Sequence, residues 1–535
     1  MVHQNETEDI IRHRIIGAGL KMKWREYKMD ISALEKIDYK SVLKYFLEIS
    51  SVPRGSGHNE KINQYLVDFA KKKGFEYYTD EALNVVITKP AAKGYEDHEG
   101  IIIQGHMDMV CVCAAGIQHD FENEPLEVYV SEENGKKYLR AKGTTLGADD
   151  GVAVAIGLAM LDDADLKAPM IELFVTTDEE TSMVGANNFD YSVLKSNRVL
   201  NLDSENEGIV IAGCAGGITV AGNVEIKRNS ISGTAINIQI SGLLGGHSGE
   251  MIGEYRTNAN VLMGRLLMEL FEEIDFNLIS INGGEKNNAI PDACKAVIIV
   301  KHAKNSGKVN GVDANVSSAL SKLSKIVSAV KKELTDSEPG IKITAAADES
   351  GNGLPLPAFD ETTTANVLNM LTFAPDGVQV MSHVTKNFVE SSLNLGILKT
   401  YSQNPQTDTV YFEYLIRSSK TSYMQYVAKK LLNLFMNTKG SFAEILSSYE
   451  PWEYNEKSEL REIYEKAYEE QCGKKPVTQI IHAGLECSIF AKKMPGADLI
   501  SIGPDNYDIH TPNEHVDIDS FIRSAKLVEL MLEKM

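Results

Sequence analysis

Cysteine is scarce, with six in 535 residues, which excludes a disulfide framework as the source of stability. Cys111 and Cys113 form a C-x-C pair, which lacks the two-residue spacer of common zinc sites. All six read as reduced, mostly buried thiols in a reducing compartment, so a cytoplasmic location is expected. Basic residues are also short. Against 75 Asp and Glu stand 54 Lys and Arg, a net charge of −21, which speaks against nucleic acid or an anionic membrane as partner. Long apolar runs are missing too. The longest charge-free stretch, GIVIAGCAGGITVAGNV (208–224), is Gly-rich and short for a membrane helix; it reads as strand, tight turn, strand. The N-terminus shows no apolar core followed by a small-residue cleavage site, so no secretory signal is expected.

What is present is an ordinary globular composition, 43% hydrophobic and 24% charged, on a chain long enough for more than one domain. Residues 1–30 are polar and basic with weak periodicity and read as an extension, with Met29 a plausible alternative start and a helix expected after Asp30. From 40 to 215 helical stretches such as 41–50 and 60–75 alternate with short β-rich runs (VVITK, GIIIQGH, IELFVTT, RVLNLD). That alternation predicts an α/β layer with a mostly parallel sheet. GVAVAIGLAMLDD (151–163) is apolar all round and reads as a buried helix. From about 217 the pattern becomes strand-rich, with an amphipathic helix over 316–334, and predicts an α+β unit. Near 448–455 it changes again, ending in a helix over 521–532 with Asp519 as N-cap candidate. The expected fold class is α/β: a discontinuous catalytic domain (31–216 and 449–535) interrupted by a smaller α+β domain (217–448).

Five acidic or histidine-bearing stretches punctuate this plan, mostly at the ends of apolar runs. They are IIIQGHMDMV (101–110), GTTLGADDG (143–151), LFVTTDEET (173–181), VLNLDSE (199–205) and YDIHTPNEH (507–515). They offer His106, Asp149, Glu180, Asp203 and His510 as metal ligands, with Asp108 and Glu179 beside two of them. Two imidazoles and three carboxylates exceed the usual set of one catalytic zinc, and suit a two-metal hydrolytic site with a bridging carboxylate. Taken singly, each has a plainer reading: a core histidine, a helix cap, a solvated acidic loop. Spacing does not choose between Asp149 and Asp150, and His515 competes with His510. Of Glu179 and Glu180, pointing apart in extended chain, one can ligate while the other faces the attacking water. The set as a whole is what counts, since an uncompensated cluster of buried carboxylates is costly, and three carboxylates with a hydroxide nearly cancel two divalent cations.

QGHMDMV, HDFENEP, RAKGTTLGADDGVA, DSENEG-x₄-GCAGG, SGLLGGHSG, NNAIP, LIRSS, IHAGLEC and SIGP-x₅-HTPNE together resemble the metallopeptidase M20 family, in particular its aminoacyl-histidine and cytosolic non-specific dipeptidases, over about 40–535. The resemblance implies two divalent metals, zinc expected with manganese or cobalt as alternatives. His106 and Asp203 would hold one, Glu180 and His510 the other, and Asp149 would bridge. It implies Asp108 as orienter of His106, and Glu179 as general base for a bridging hydroxide that attacks the peptide bond of an unblocked dipeptide, Xaa-His included. His247 would stabilise the oxyanion and Arg417 would grip the substrate's carboxylate. The inserted domain would be a lid that also forms a homodimer. The alternatives are a sibling activity, tripeptidase or N-acyl amino acid deacylase, or a non-catalytic binding protein. Two departures stand out: Thr181-Ser182 where relatives more often carry Ala-Gly, and Asp178 as a third adjacent carboxylate.

Overall fold

The computed structural model describes residues 40–302, 308–309, 312–348, 354–383, 385, 387–402 and 408–535; the N-terminal extension and the helix start expected after Asp30 lie outside them. Two large sheets organise the chain. The first has eight strands in the order Glu76–Thr79, Val85–Lys89, Ile171–Thr176, Ile101–His106, Arg198–Asn201, Asp498–Ser501, Ile209–Cys214, Val477–Ile481. Ile101–His106 at its centre runs parallel to both neighbours, while Glu76–Thr79 and Val85–Lys89 close one edge antiparallel. Every residue of Ile101–His106 and Ile171–Thr176 is buried, as expected for parallel strands covered on both faces. The helix Ala148–Asp162, apolar on all sides, lies between this sheet and the helix Lys40–Ser50. The C-terminal helix Ile518–Glu533 joins the same core. Its N-cap is Asp517, whose carboxylate accepts from the Ser520 N–H at 3.1 Å. Asp519, the expected cap, sits instead in the first turn, because the strand His515–Asp517 runs straight into the helix.

The second sheet is antiparallel, in the order Lys342–Asp348, Arg228–Ser241, Cys294–Lys301, Phe276–Gly283, Val389–Tyr401, Thr409–Ser418, Gly216–Glu225, Ser441–Tyr449, with two further strands paired to it. Helices Ala259–Phe271, Ala314–Glu333, Glu361–Phe373 and Thr421–Met436 share one apolar core with it. The run 208–224 does form two strands, Ile209–Cys214 and Gly216–Glu225, but they belong to different sheets rather than to one hairpin. Ala215 is thus where the chain leaves the first sheet, and Trp452, bridged back to Cys214, is where it returns. No helix among the described residues is long and apolar enough to cross a membrane. All six cysteines are free; Cys214, Cys294 and Cys487 are buried, but Cys111 is exposed and Cys113 and Cys472 are half-buried, so burial is less general than expected. Cys111 stands in the irregular segment after the central strand, where no sheet face covers it.

Candidate metal centre

Three of the stretches, around His106, Glu180 and Asp203, follow parallel strands of the first sheet, where open α/β sheets gather ligands, while Asp149 stands at the start of the helix Ala148–Asp162. His106 is the last residue of the central strand and is buried. Its Nε2 lies 3.0 Å from Asp149 Oδ1 and 3.7 Å from Asp203 Oδ1. His510, from the loop before the C-terminal helix, places its Nε2 2.9 Å from Glu180 Oε1 and 3.2 Å from Asp149 Oδ2. Asp149 therefore stands between the two imidazoles with one oxygen toward each. His106, Asp149 and Glu180 form one group of converging donor atoms, and His106, Asp150 and Asp203 another. This donor set of imidazole nitrogens and carboxylate oxygens fits two divalent cations.

Asp150, joined to Asp149 by a cis peptide, is buried, and its Oδ2 accepts the His106 N–H at 3.2 Å. It thus holds the strand end that carries a ligand. Gly105 makes that approach feasible, since a Cβ there would stand 2.3 Å from both Asp150 Oδ2 and Ala153 Cβ. Glu514, which sequence reasoning passed over, cradles the same loop by accepting from the N–H groups of Leu146, Gly147, Ala148 and Asp149 at 2.7–3.4 Å. Arg54, buried as well, donates to the carbonyls of Met107, Asp108 and Gly147. Glu514 lies within the stretch 507–515 and Arg54 in none of the five stretches, and nothing in their spacing marks them as supports; only the fold brings both under the loop.

Asp108 Oδ1 lies 3.4 Å from His106 Nδ1, and the same ring nitrogen is 3.2 Å from the Asp108 carbonyl. Ser56 Oγ donates to Asp108 Oδ2 at 2.8 Å and the Glu179 N–H to Oδ1 at 3.1 Å. Asp108 is thereby fixed by a loop on one side and by the base of the acidic turn on the other. Glu179 and Glu180 are not in extended chain. They open a one-turn helix, Glu179–Ser182, whose N-cap Asp178 takes a left-handed conformation at φ 53°. Asp178 is held there because its Oδ1 accepts from Gly57 N–H at 2.6 Å and Asn59 Nδ2 at 2.8 Å. The turn separates the two glutamates, with Glu180 against His510. The extra carboxylate at 178 is a clamp between loops. His515, the competitor of His510, stacks on Tyr507 and turns its Nδ1 to the Asn513 carbonyl.

Electrostatics express the crowding. Burial works against charging His106, yet Asp108, Asp149 and Asp203 outweigh it and hold it well above its ordinary value. Hydrogen bonds to Asp149 and Glu180 push His510 up to about 10. Burial would raise Asp149, but its bonds to both imidazoles bring it far down. Asp203, buried and facing Asp150 and Asp149, is driven up. Burial, with Glu486 and Glu180 nearby and His106 pulling the other way, pushes Glu179 up to about 8. Protons thus do in this structure what cations would do better.

A second group of residues comes from the antiparallel sheet. Arg417 is buried, and its Nη1 donates to the Tyr449 hydroxyl at 3.1 Å. His247 is half-buried and lowered by burial and by Arg417. Glu205 links the two groups, since its titration is shifted by burial, by Asp149 and by Glu250, three residues beyond His247. Glu486, also overlooked in the sequence, reaches below the central strand and accepts from Gln104 Nε2 and Thr176 Oγ1, both at 2.7 Å.

An α/β sheet covered on both faces, with two imidazoles, one at a strand end and one on a loop, meeting across a shared carboxylate, defines a dinuclear metallohydrolase. Residues 102–534 match the model of Peptidase family M20/M25/M40. The chain belongs to that family. It is 34% identical over 495 residues to the cytosol non-specific dipeptidase of Escherichia coli K12, covering 92% of this chain and 96% of that one. The crystal structure of aminoacylhistidine dipeptidase from Vibrio alginolyticus superposes with a TM-score of 0.84 at 33% identity, over 94% of this chain and 97% of that one. A tripeptidase from Staphylococcus aureus shares the fold at a TM-score of 0.53 and 15% identity, over 92% and 98% of the two chains.

Proposed function

We propose that this protein is a metal-dependent dipeptidase that hydrolyses unblocked dipeptides, Xaa-His among them. The observation that carries the reading is Asp149 standing between His106 and His510 at 3.0 and 3.2 Å, in a chain one-third identical to a dipeptidase over nearly its whole length. His106 and Asp203 would hold one divalent ion, Glu180 and His510 the other, and Asp149 would bridge, with zinc the favoured metal. When bound, the pair supplies Lewis acidity and brings the pKa of a coordinated water toward neutrality. Asp108 orients His106 and fixes its tautomer. Glu179 takes the proton of the attacking water and returns it to the leaving amine. His247 donates to the oxygen that becomes charged, and Arg417 receives the terminal carboxylate, a group that guanidinium grips in two-point fashion. Residues 217–448 act as the lid, and its closure brings the second group over the first.

A homodimer through the lid is supported by the strand Ser441–Tyr449. It is the edge of its sheet and leaves Phe442, Ile445 and Leu446 about half exposed, a surface that a monomer would have to protect. Sedimentation at micromolar concentration should give twice the chain mass. A cytoplasmic location is supported by the free thiols. The defining experiment is metal analysis joined to a panel of dipeptides, tripeptides and acetyl-amino acids. Preference for free dipeptides with two metals per chain is expected; preference for tripeptides or acetylated substrates would replace this reading by the sibling activity, and no hydrolysis after zinc, manganese and cobalt reconstitution would replace it by a binding role.

A further inference from the structure

The loop after the strand Val477–Ile481 contains a histidine with no role in the scheme above. His482 is 9% exposed. Its Nε2 pairs with Ser392 Oγ at 2.7 Å, and its Nδ1 has no partner. Ser392 stands directly opposite Arg417 on the neighbouring strand. Arg417 in turn has a buried Nε without a partner, while its Nη1 is engaged by Tyr449. Two unpaired buried nitrogens therefore lie on adjacent positions of one patch. Buried polar atoms are satisfied in the great majority of cases, so such a pair calls for a shared acceptor.

The surroundings specify its charge. Burial, with the basic Arg417 and His247 adding to it, lowers His482 to about 3. The imidazole is thus neutral across physiological pH. The Ser392 hydroxyl can donate to Nε2 or accept from it; in the tautomer where it donates, the ring proton sits on Nδ1 and the free nitrogen is a donor. Phe388 meets the ring edge-on, with centroids 6.3 Å apart, and limits its rotation. Gly249 seats the loop beside the oxyanion candidate, since a Cβ there would stand 2.8 Å from the His482 carbonyl and 3.0 Å from His247 Cε1. Glu486, four residues on, anchors the same loop below the central strand.

We infer that His482 is a substrate-binding residue, whose Nδ1–H donates to the C-terminal carboxylate of the peptide alongside the Nε of Arg417, with Ser392 setting its tautomer. A neutral donor beside a guanidinium accepts a carboxylate without adding a second buried charge, and it rejects a C-terminal amide, whose NH₂ would face a donor. The inference rests on the assignment of Arg417 to the terminal carboxylate, so the experiment separates the two. A dipeptide and its C-terminal amide are compared as substrates, or as inhibitors where the amide is not cleaved, in the metal-loaded wild-type protein and in His482→Ala, His482→Asn and Arg417→Ala. Loss of one hydrogen bond to a charged group weakens binding roughly tenfold to a hundredfold. His482→Ala should raise KM for the free dipeptide by that factor, leave kcat within about threefold and leave the amide nearly unaffected. Asn, which can present a donor near the position of Nδ1, should restore most of the loss, and it keeps the test alive should the alanine variant fail to fold. Equal effects of His482→Ala on acid and amide would overturn the inference. If Arg417→Ala removes the discrimination and neither His482 variant alters it, His482 falls and Arg417 stands. If Arg417→Ala leaves it intact, the carboxylate subsite lies elsewhere and both fall.

Discussion

Replacing Glu179 with Gln preserves shape and removes one ionisable group, and the structure predicts opposite effects on stability and rate. In the metal-free protein burial and the neighbouring carboxylates push Glu179 from an ordinary 4.5 to about 8. A carboxyl raised in the folded state favours folding fully while it is protonated, below its unfolded value, and that support is lost as pH rises through about 8. At 1.36 kcal/mol per pKa unit the loss is at most about 5 kcal/mol, and less in practice because Glu180, Asp149 and Glu486 share the same protons. Gln does not ionise. The chelated variant should therefore melt above the parent near pH 9, with the gap closing toward about pH 5. The backbone N–H that holds Asp108 is untouched, so metal binding should persist. Turnover should nonetheless drop by about 10²–10⁴, the usual contribution of a general base, or about 3–5 kcal/mol of barrier. Native mass spectrometry for metal content, melting curves at both pH values and initial rates at saturating zinc test each part. Normal turnover at full metal load would refute the base assignment, and a lower melting point at both pH values would refute the electrostatic argument.

Three further outcomes are expected. His510→Ala removes a donor shared with Glu180 and Asp149 and should leave one metal per chain; two metals by native mass spectrometry would count against that ligand. Because His106, His510 and Asp203 are all raised without metal, loading should release protons and tighten as pH rises; calorimetry in buffers of different ionisation enthalpy should show net proton release, and none would contradict the site chemistry. Beside the antiparallel sheet, Asp376 is pushed by burial from 3.8 to about 7, accepts from the Leu395 N–H at 3.0 Å, and adds to burial in raising the unpartnered hydroxyl of Tyr414. Its support for folding is complete below 3.8 and lost as pH rises through about 7, so Asp376→Asn should stabilise the protein by about 2–4 kcal/mol near pH 8 and by little near pH 4; equal effects at both would refute it.

Periodicity and burial made the helices, the central parallel strands and the inserted antiparallel unit legible, because each buries a face that repeats along the chain. His106, Glu180 and Asp203 stand out because they follow apolar strand runs, whereas the choice of Asp149 over Asp150 and of His510 over His515 rests on the resemblance to the family; the structure places all five in one cluster. What stayed hidden depends on contacts distant in sequence. Glu514 supports a loop 365 to 368 residues away, and Arg54, Ser56 and Glu486 each look like an ordinary loop residue until the sheet is assembled. Asp178 had no reading because its partners, Gly57 and Asn59, lie 121 and 119 residues earlier. The acidic turn at 179–182 was misread as extended for the same reason.

His510 and Asp149, partners across the centre, are 361 residues apart in the chain. Protein synthesis proceeds from the N-terminus, so the first sheet can collect six of its eight strands and most of the site's carboxylates while the other half of the polypeptide has yet to be made. His510 and the Glu514 cradle emerge last. A chain still attached to the ribosome thus carries an acidic half-site without its second imidazole, and the site is complete only once the carboxyl-terminal segment has joined the first sheet. The order of synthesis thus withholds a working site until the chain is nearly finished.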